Sequence, residues 1–445
     1  MIFNDLAEFV LGAPDVPESA LDFTATLLVD TLGVTAGSVR LDAARIARDH
    51  AVRFHAAGTP AEAATLLFDG RKASIPGAAF AAATQTDNLD AHDGFNPTKG
   101  HIGCAVVPAL CALAEREPAL SASDALAALA ISYEVAARAG LSLHGTVSDY
   151  HTSGAWNALG VAALGARLRN LDANRLRQAL GIAEYHGPRS QMMREIANPT
   201  MLHDGSGMGA FTGLTAVLLA EEGFVGAPAI TVESEDVAER WSDLGQRWTV
   251  EQNYIKPYPI CRWAHGAIDA LGRLMEDHGI AAHDVSAIDV NTFAEAAELF
   301  PGMPKTTSQA QYSLAFALAA LLVHGKIGPD QVTGMALSDP GIEAVVGKIR
   351  ASEDPRHSAR FPEGRWSDVT VHLSDGRTLS SGDVNAKGGP EAPLPRDAVK
   401  AKFLEMASSL GRDRAAAIWD MRDRLTDPGS RFADLLQLLH ARPDT

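Results

Sequence analysis

The sequence predicts a mainly α-helical protein that carries a smaller α+β insert. Apolar residues recur at three- and four-residue spacing through almost all of the first 250 positions, whereas period-two alternation begins only after about residue 265. The chain has 445 residues, 46% of them hydrophobic, which is too long for one compact core. We therefore predict a helical domain built from residues 1–264 and 395–445, and an α+β domain over 265–394.

The stretch SASDALAALAISYEVAARAG illustrates the helical pattern. Ser123 is a candidate N-cap, Leu126 and Leu129 lie on one apolar face, and Gly140 is a candidate C-terminal stop. Many of the predicted helices are rich in alanine and glycine, which allows helix axes to approach closely. This composition favours a compact bundle of many helices.

The predicted insert has a different pattern. VSAIDVNTFAEAA is typical of a strand, WSDVTVHLSDGRTL of a hairpin turning at Asp375-Gly376, and QAQYSLAFALAALLVHG of one helix between them. The connector NAKGGPEAPLPRD then leads to two further helical segments, AVKAKFLEMASSL and RFADLLQLLHA. We expect these last helices to rejoin the first part of the chain.

Composition excludes several classes of binding partner and indicates the cellular compartment. The formal net charge of −17 repels nucleic acid and anionic membranes, and no run reaches 18 consecutive apolar residues. Cys104, Cys111 and Cys261 form no paired motif, which indicates reduced thiols and argues against an iron–sulfur cluster. The N-terminal stretch lacks the features of a signal peptide. We therefore expect a cytoplasmic protein with a small-molecule partner.

The first candidate site is DNLDAHDGFNPTKGHIG, residues 87–103. Asp90 and Asp93 flank His92, and His101 precedes an apolar helix, where a helix N-terminus lowers the pKa of an imidazole. Acid–imidazole proximity suits general acid–base catalysis. The alternative is a polar loop in which the carboxylates serve turns and helix caps.

Two more segments carry candidate chemistry. In SDYHTSGAWNALG, Tyr150 and His151 precede a small-residue helix, although the segment could also be a capping loop. In NYIKPYPICRWAH, Lys256, Arg262 and His265 lie at the predicted domain seam and suit a carboxylate-bearing substrate. The alternative there is a pair of surface cations, or an arginine that only holds the domains together.

Two patterns resemble cofactor or metal motifs without meeting their requirements. GSGMGAFTG lacks both a preceding strand and the dinucleotide-binding spacing, so helix packing explains it better. The histidines form no HxxxH pair, and we predict no metal.

These blocks, in this order, resemble the MmgE/PrpD family, which includes 2-methylcitrate dehydratases, cis-aconitate decarboxylases and iminodisuccinate epimerases. The likeness spans nearly the whole chain. It rests on D-x-x-D…P-x-x-x-H from Asp90 to His101, ISYEVAAR, the histidine before a small-residue helix, LHDG, KPYP with a downstream histidine, YSLAF, and a DG hairpin followed by KGGP.

The resemblance implies a pocket between a helical domain and an α+β lid domain, a homodimer, and catalysis without metal or organic cofactor. The catalytic residues that it implies are Asp90, His101, His151 and Lys256. The substrate-binding residues that we expect beside them are Lys99, Tyr150, His203, Arg262 and His265.

Three positions depart from the family pattern. Thr200 stands where relatives usually carry a lysine, Phe316 where decarboxylase-like members place a tyrosine, and Gly94 where they place a threonine. These changes remove a carboxylate ligand and a proton donor, and Lys99 or Arg194 could restore the positive charge.

The function predicted from the resemblance is a cofactor-independent lyase of the dehydratase type, similar to 2-methylcitrate dehydratase and acting on a small hydroxy-carboxylate. One alternative is an epimerase or isomerase of a small dicarboxylate. The other is a catalytically silent carboxylate-binding homologue.

Overall fold

The computed structural model describes residues 2–443 of the chain. It is 59% helical and 9% strand, which confirms the predicted fold class of a mainly α protein with a small α+β part. Helices dominate because most segments are apolar on one face or all round, and the small side chains between them let the helices pack closely.

Eleven α-helices precede residue 250 among the described residues. They are α1 (Ile2–Leu11), α2 (Glu18–Gly37), α3 (Asp42–Phe54), α4 (Ile75–Asp87), α5 (Gly103–Ala114), α6 (Ala122–Thr146), α7 (Gly154–Leu168), α8 (Ala173–His186), α9 (Met193–Ala197), α10 (Ser206–Glu221) and α11 (Ile230–Glu233).

Two short antiparallel ladders interrupt this helical region, which the periodicity did not predict. The first pairs β1 (Ala63–Thr65) with β2 (Lys72–Ser74), and the second pairs β3 (Gly94–Phe95) with β4 (Asn253–Tyr254). Strands of two or three residues are too short to show alternation in a sequence. The second ladder joins two of the predicted site segments directly.

The limits predicted for α6 were wrong at both ends. Ser121, not Ser123, caps the helix by accepting a hydrogen bond from the Asp124 N–H. The helix also continues through Gly140 to Thr146. Gly140 serves packing instead of termination, because a Cβ there would lie 2.9 Å from the Trp156 ring.

The segment predicted to be the insert, residues 265–394, contains the larger sheet. Its elements are α12 (His265–His278), β5 (Val285–Thr292), α13 (Ala294–Ala297), α14 (Thr307–Gln311), α15 (Leu314–His324), α16 (Pro340–Val346), β6 (Ile349–Glu353), α17 (Pro355–Ser358), β7 (Trp366–Leu373), β8 (Thr378–Ser380) and β9 (Val384–Asn385).

The sheet order is β6-β5-β7-β8, with β9 also paired to β7. Within residues 2–443 only the β5–β6 pair is parallel. Strands β7 and β8 form the predicted hairpin around Gly376, whose φ of 91° favours glycine. The helix predicted over QAQYSLAFALAALLVHG is split into α14 and α15. The split occurs because the Ser313 side chain accepts from the Phe316 N–H and starts a new helix.

Both ends of the chain contribute to one hydrophobic core. The final helices are α18 (Arg396–Met406), α19 (Arg412–Arg424) and α20 (Phe432–His440). Their apolar residues from 399 to 439 cluster with those from 6 to 255, whereas residues 260–373 form a second cluster with Met192 and Ile196. The limits predicted for the domains stay a prediction.

Helix α18 is held against α2 by an aromatic ring packed on a glycine and by a buried ion pair. The Phe403 ring is buried so closely against Gly33 that a Cβ there would lie 2.5 Å from it, and the ring also contacts Trp419 at a centroid distance of 5.5 Å. The Lys402 ammonium donates to Asp30 at 2.7 Å and to the Ala91 carbonyl at 2.6 Å. Helix α18 therefore contacts the loop that carries the first candidate site.

One helix within the described range, α6, is long and apolar enough to cross a membrane by length and composition. However, 89% of its most apolar window is buried inside the protein, as in the central helix of a folded core. It packs against α7 and α2.

Replacing Phe403 tests the closure of the core by the C-terminal helices. Phe403→Ala removes a buried aromatic ring and leaves a cavity beside α2, so we expect the free energy of unfolding to fall by about 3–5 kcal/mol. The measurement is urea denaturation followed by circular dichroism. Leu404→Ala is the matched control, because Leu404 is 36% exposed and should change stability by less than about 1 kcal/mol. Equal effects of the two substitutions would contradict this packing.

Candidate active site

A buried ion pair joins the first and third candidate segments. Asp90 follows α4 with a φ of 54°, in the left-handed region, and Lys256 follows β4. The Lys256 ammonium lies 2.5 Å from Asp90 Oδ1 and donates a second hydrogen bond to the Asp90 carbonyl at 3.1 Å. Both side chains are buried. Two of the predicted catalytic residues are thus in direct contact.

The Lys256 ammonium is a fixed interior cation. Burial lowers its pKa, but the Asp90 carboxylate together with Tyr254 and Cys261 more than reverses this, so the pKa lies above its ordinary value. An ammonium has three N–H donors, and Asp90 accepts from two of them. No other residue within 2–443 accepts a hydrogen bond from this ammonium.

His101 lies beside this pair as a neutral imidazole. Burial lowers its pKa well below 6.5, and the positive Lys256 and the neighbouring His92 lower it further. Its Nδ1 lies 2.7 Å from the Asp93 carbonyl oxygen, which can only accept, so Nδ1 carries the proton and Nε2 the lone pair. His101 Nε2 therefore has a lone pair that can accept a proton.

The Asp93 backbone also orients His92. His92 Nδ1 lies 3.3 Å from the same carbonyl oxygen, and the two imidazole rings meet edge to face at 4.6 Å. The Asp93 carboxylate accepts from the Gly103 N–H at 3.3 Å, at the start of α5. Asp93 thus supports the turn and the helix start, one of the roles expected of a polar loop.

Two buried carboxyl groups lie close to the imidazoles. Asp204 Oδ2 is 3.8 Å from His101 Nε2, and Asp87 Oδ1 is 3.5 Å from His92 Nε2. Burial raises the pKa of each carboxyl to about 7, with the Ser153 hydroxyl opposing the shift at Asp204 and the Ser206 N–H opposing it at Asp87. Each group is therefore partly protonated at neutral pH.

His203 lies beside the cluster formed by the Asp90–Lys256 pair and the two imidazoles. Its Nε2 lies 3.4 Å from the Ser308 hydroxyl, and its ring centroid lies 5.6 Å from that of Tyr312. Burial lowers its pKa to about 3, aided by His92 and Lys256, so it is neutral. Within residues 2–443, Nδ1 of His203 has no hydrogen-bond partner.

Tyr150 and His151 of the second candidate segment lie on the side of Lys99, whereas Ser153 of the same segment accepts a hydrogen bond from the His101 N–H at 2.9 Å. The Tyr150 hydroxyl donates to the Lys99 carbonyl, and the Lys99 ammonium lies 4.6 Å from the centre of the Tyr150 ring. The His151 N–H donates to His144 Nε2 at 3.2 Å. The pKa of His151 is lowered by burial and by Arg189, a neighbour outside the Asp90–Lys256 cluster. The structure therefore brings His101 to the ion pair and places His151 with another group.

Arg262 and His265 are engaged by backbone carbonyls. Arg262 donates to the carbonyls of Lys387 and Ala386 at 2.6 and 3.0 Å, and its guanidinium stacks on Tyr254 at 4.4 Å. His265 Nε2 lies 2.9 Å from the Ile260 carbonyl oxygen. Arg262 thus connects the third candidate segment to the end of the predicted insert. This agrees with the alternative interpretation, in which the arginine holds the two domains together.

Cavities approach the cluster from two sides. One of about 710 Å³ is lined by His203, Thr152 and Arg194, and one of about 610 Å³ is lined by Asp87. A third, of about 460 Å³, lies between Lys99 and Glu295 of the insert. Each is large enough for a small carboxylic acid.

Comparison with known proteins identifies the family of this chain. Residues 4–248 match the MmgE/PrpD N-terminal domain, and residues 258–427 match the MmgE/PrpD C-terminal domain. The chain belongs to the MmgE/PrpD family. This confirms the resemblance inferred from the motifs.

Individual relatives are distant. A cis-aconitate decarboxylase-like protein of Aspergillus oryzae is 24% identical over 377 residues, covering 73% of this chain and 74% of its own. The cis-aconitate decarboxylase of Aspergillus terreus is 23% identical over 487 residues, covering 97% and 94%. A mitochondrial 2-methylcitrate dehydratase of Yarrowia lipolytica is 26% identical over 113 residues, covering 24% and 22%. These relatives support an enzyme of the MmgE/PrpD family.

The structure shows what surrounds each of the three positions that depart from the MmgE/PrpD pattern. The Thr200 hydroxyl donates to Glu195, Phe316 is buried in the second core, and Gly94 faces Tyr254. Arg194 lines the 710 Å³ cavity with His203 and lies on the side where the lysine is missing. The Lys99 ammonium faces Tyr150 and the ring of Phe361.

Four residues close to the site were not among the predicted site residues. They are Asp87, Asp204, Tyr254 and Tyr312. All four lie within motifs that the sequence displays, namely DNLD, LHDG, NYIKPYP and YSLAF. Nothing in their spacing distinguishes them, because their relevance depends on burial and on neighbours from distant segments.

Two groups of side chains among residues 2–443 meet the distance requirement for metal binding, namely Asp354, His357 and Asp368 in the predicted insert and Asp87, His92 and Cys104 at the candidate site. Ligand atoms of Asp87, His92 and Cys104 lie within 4.8 Å of one another. The Cys104 thiol, however, donates to Ser206 at 3.1 Å, and burial raises its pKa well above 9. A protonated thiol is a poor metal ligand. The expectation of no metal stays a prediction.

Asp204→Asn tests the raised pKa of this carboxyl. Between pH 4 and 7 the unfolded state has lost a proton that folded Asp204 retains, so this group lowers the stability of the wild-type protein as pH rises through that window. The asparagine variant lacks this contribution, about 1.4 kcal/mol per pH unit at most. Its unfolding free energy, measured by urea denaturation, should fall less between pH 4.5 and 7. Asp277→Asn, at an exposed site, is the control. Identical pH dependence of Asp204→Asn and wild type would refute the assignment.

Proposed function

We propose that this chain is a lyase of the dehydratase type that removes water from a small hydroxy-carboxylate without a metal or organic cofactor. The observation that carries the proposal is the buried Asp90–Lys256 pair beside neutral His101, whose Nε2 holds a lone pair. Removal of a proton next to a carboxylate needs a base and a fixed positive charge in one place. Here both are present in a site of low dielectric.

The first step in this proposal is binding and proton removal. A substrate carboxylate accepts the remaining N–H of Lys256, and His101 Nε2 takes the proton from the adjacent carbon. Negative charge then develops on the carboxylate as it becomes an enediolate. The cation at Lys256 stabilises that charge without reorganising, since Asp90 already holds it in place.

The second step is loss of the hydroxyl group. A protonated carboxyl donates its proton to the leaving hydroxide, which departs as water while the carbon–carbon double bond forms. Asp204 suits this role because its pKa of about 7 leaves it partly protonated, and because it lies 3.8 Å from His101. Proton transfer from His101 back to Asp204 restores the starting state.

Decarboxylation is the second candidate reaction. The two relatives that cover most of this chain are named as a cis-aconitate decarboxylase and a protein like it. Loss of CO₂ creates the same carbanion character, so Lys256 would serve it equally. The tyrosine and threonine typical of decarboxylase-like members are replaced here by Phe316 and Gly94, which favours the dehydratase.

A substrate panel separates these reactions from the remaining alternatives. Purified enzyme is incubated with 2-methylcitrate, cis-aconitate and iminodisuccinate in deuterated water. A dehydratase forms an ultraviolet-absorbing alkene, a decarboxylase releases CO₂, and an epimerase incorporates deuterium without changing the molecular formula otherwise. Thermal stabilisation by a carboxylate without any turnover would instead support a silent binding homologue.

Substitution of the histidines tests the assignment of the base. Asparagine at position 101 keeps a donor for the Asp93 carbonyl but lacks Nε2, so we expect His101→Asn to lower kcat by about 10²–10⁴-fold. His151→Ala should lower kcat less, because the neighbours of His151 are His144 and Arg189 and not the Asp90–Lys256 pair. His372→Asn, on a partly exposed strand of the insert, is the control. Wild-type kcat for His101→Asn would exclude this residue as the base.

Lys256→Ala offers a further check on the charge partner. Loss of the cation leaves Asp90 buried and unpaired, which destabilises the fold as well as the chemistry. Lys256→Arg keeps the charge and separates the two effects. In the proposed mechanism Lys256→Arg has a lower kcat than wild type because the larger guanidinium misplaces the donor, and thermal melting followed by circular dichroism shows how much of the loss comes from folding. A wild-type kcat for folded Lys256→Ala would exclude Lys256 as the charge partner.

We also propose that the protein is a cytoplasmic homodimer. Its surface carries Met201, Leu202 and Met208 beside Ile46 around the 610 Å³ cavity, and Leu202 is 74% exposed. Clustered exposed apolar side chains mark a protein interface. A second copy of the chain is the occupant that we propose for this face.

The net charge of −17 and three buried cysteines without disulfides support the proposed cytoplasmic compartment and the proposed absence of nucleic-acid or membrane partners.

Leu202→Asp tests the dimer. A charge in the middle of the apolar face should convert the dimer to a monomer at micromolar concentration, because a carboxylate cannot be buried there without a partner. Light scattering coupled to gel filtration gives the mass. Val225→Asp is the matched control, with an apolar side chain 76% exposed elsewhere. A monomeric wild type, or a dimeric Leu202→Asp variant, would disprove this interface.

A further inference from the structure

Tyr254 lies directly against a glycine of the first candidate segment. Gly94 and Tyr254 are opposite one another in the β3–β4 ladder. A Cβ on Gly94 would overlap the Tyr254 hydroxyl and would lie 2.8 Å from His101 Nδ1. Real Cβ contacts are not that short, so the missing side chain at position 94 is what makes room for the phenol next to His101.

The ring of Tyr254 is held in place. It is 2% exposed, its face is covered by the Arg262 guanidinium at 4.4 Å, and its centroid is 6.3 Å from the His101 ring at 84°. Arg262 is in turn fixed by the carbonyls of the insert. The hydroxyl therefore has little freedom to move away from His101.

The Tyr254 hydroxyl, unlike those of two half-buried tyrosines, is not engaged within the described residues. Tyr258 donates to Asp269 at 2.9 Å and Tyr150 donates to the Lys99 carbonyl. No group among residues 2–443 accepts a hydrogen bond from the Tyr254 hydroxyl. Burial raises its pKa to about 12, against the opposing effect of Lys256 and Arg262, so the phenol stays protonated at neutral pH. It is a donor without an acceptor.

We propose that Tyr254 is a further catalytic residue, whose hydroxyl donates a hydrogen bond to the substrate oxygen that becomes negative when His101 removes the proton. This inference rests on the proposed function and adds a second donor to Lys256. No proton is transferred from Tyr254. The O–H bond remains intact while the hydrogen bond strengthens as charge grows on the carboxylate. Gly94 is required because any side chain there would displace the donor.

Tyr254→Phe tests the role directly, because it keeps the ring and the stacking with Arg262. We expect kcat to fall by about 10²–10³-fold, with KM within threefold and an unchanged melting temperature. Gly94→Ala should give a similar loss of kcat by pushing the hydroxyl away. Tyr258→Phe, which removes a nearby phenol that is bonded elsewhere, should keep kcat within threefold. Tyr254→Phe with wild-type kcat would overturn the proposal.

A binding measurement tests the same contact without turnover. The nitronate of 3-nitropropionate imitates an enediolate, whereas tricarballylate imitates the ground-state carboxylate. By calorimetry, Tyr254→Phe should bind the nitronate at least about tenfold more weakly and tricarballylate within threefold of wild type. Equal nitronate affinity in both proteins would overturn the role of Tyr254 alone. A wild-type protein that neither turns over the panel nor binds the nitronate would overturn the proposed function as well.

Discussion

The structure around the site depends on two buried lysines that hold one loop. Lys256 donates to the Asp90 carbonyl and carboxylate, and Lys402 donates to the next carbonyl, that of Ala91, and to Asp30. Lys256 lies just after β4, where the predicted insert begins, and Lys402 lies in α18, the first of the three final helices. Burying two ammonium groups is costly unless each is paired. Because both ammonium groups need buried hydrogen-bond partners, helix α2, the segment after β4 and helix α18 all pack against the loop before α5.

Small residues allow the loops to converge on this point. Gly154 starts α7 so close to α10 that a Cβ would overlap the Gly205 carbonyl, and a Cβ on Gly103 would overlap the Asp93 carboxylate. Side chains at these positions would push apart the helix starts that carry His101 and Ser153. The alanine- and glycine-rich composition is thus a condition for the site as well as for the bundle.

Much of the candidate site could be predicted from local patterns. The segments that hold Asp90, His101 and Lys256 were identified from residue type and spacing, and the family from their order. The separation of His151 from the ion pair was not predictable, because the direction of a side chain at a helix start depends on the neighbouring segments. The same holds for Asp204 and Tyr254, whose surroundings come from elements distant in sequence.

The sequence by itself determined the fold class, the family and the three segments, because hydrophobic periodicity and motif order are local properties of the chain. Only the tertiary structure decided which imidazole meets the ion pair, which tautomer His101 adopts, and which carboxyls have a pKa raised to about 7. It also decided that Gly94 makes room for Tyr254. The reason is physical: pKa values and hydrogen bonds depend on burial and on through-space neighbours, and these exist only once the chain is folded.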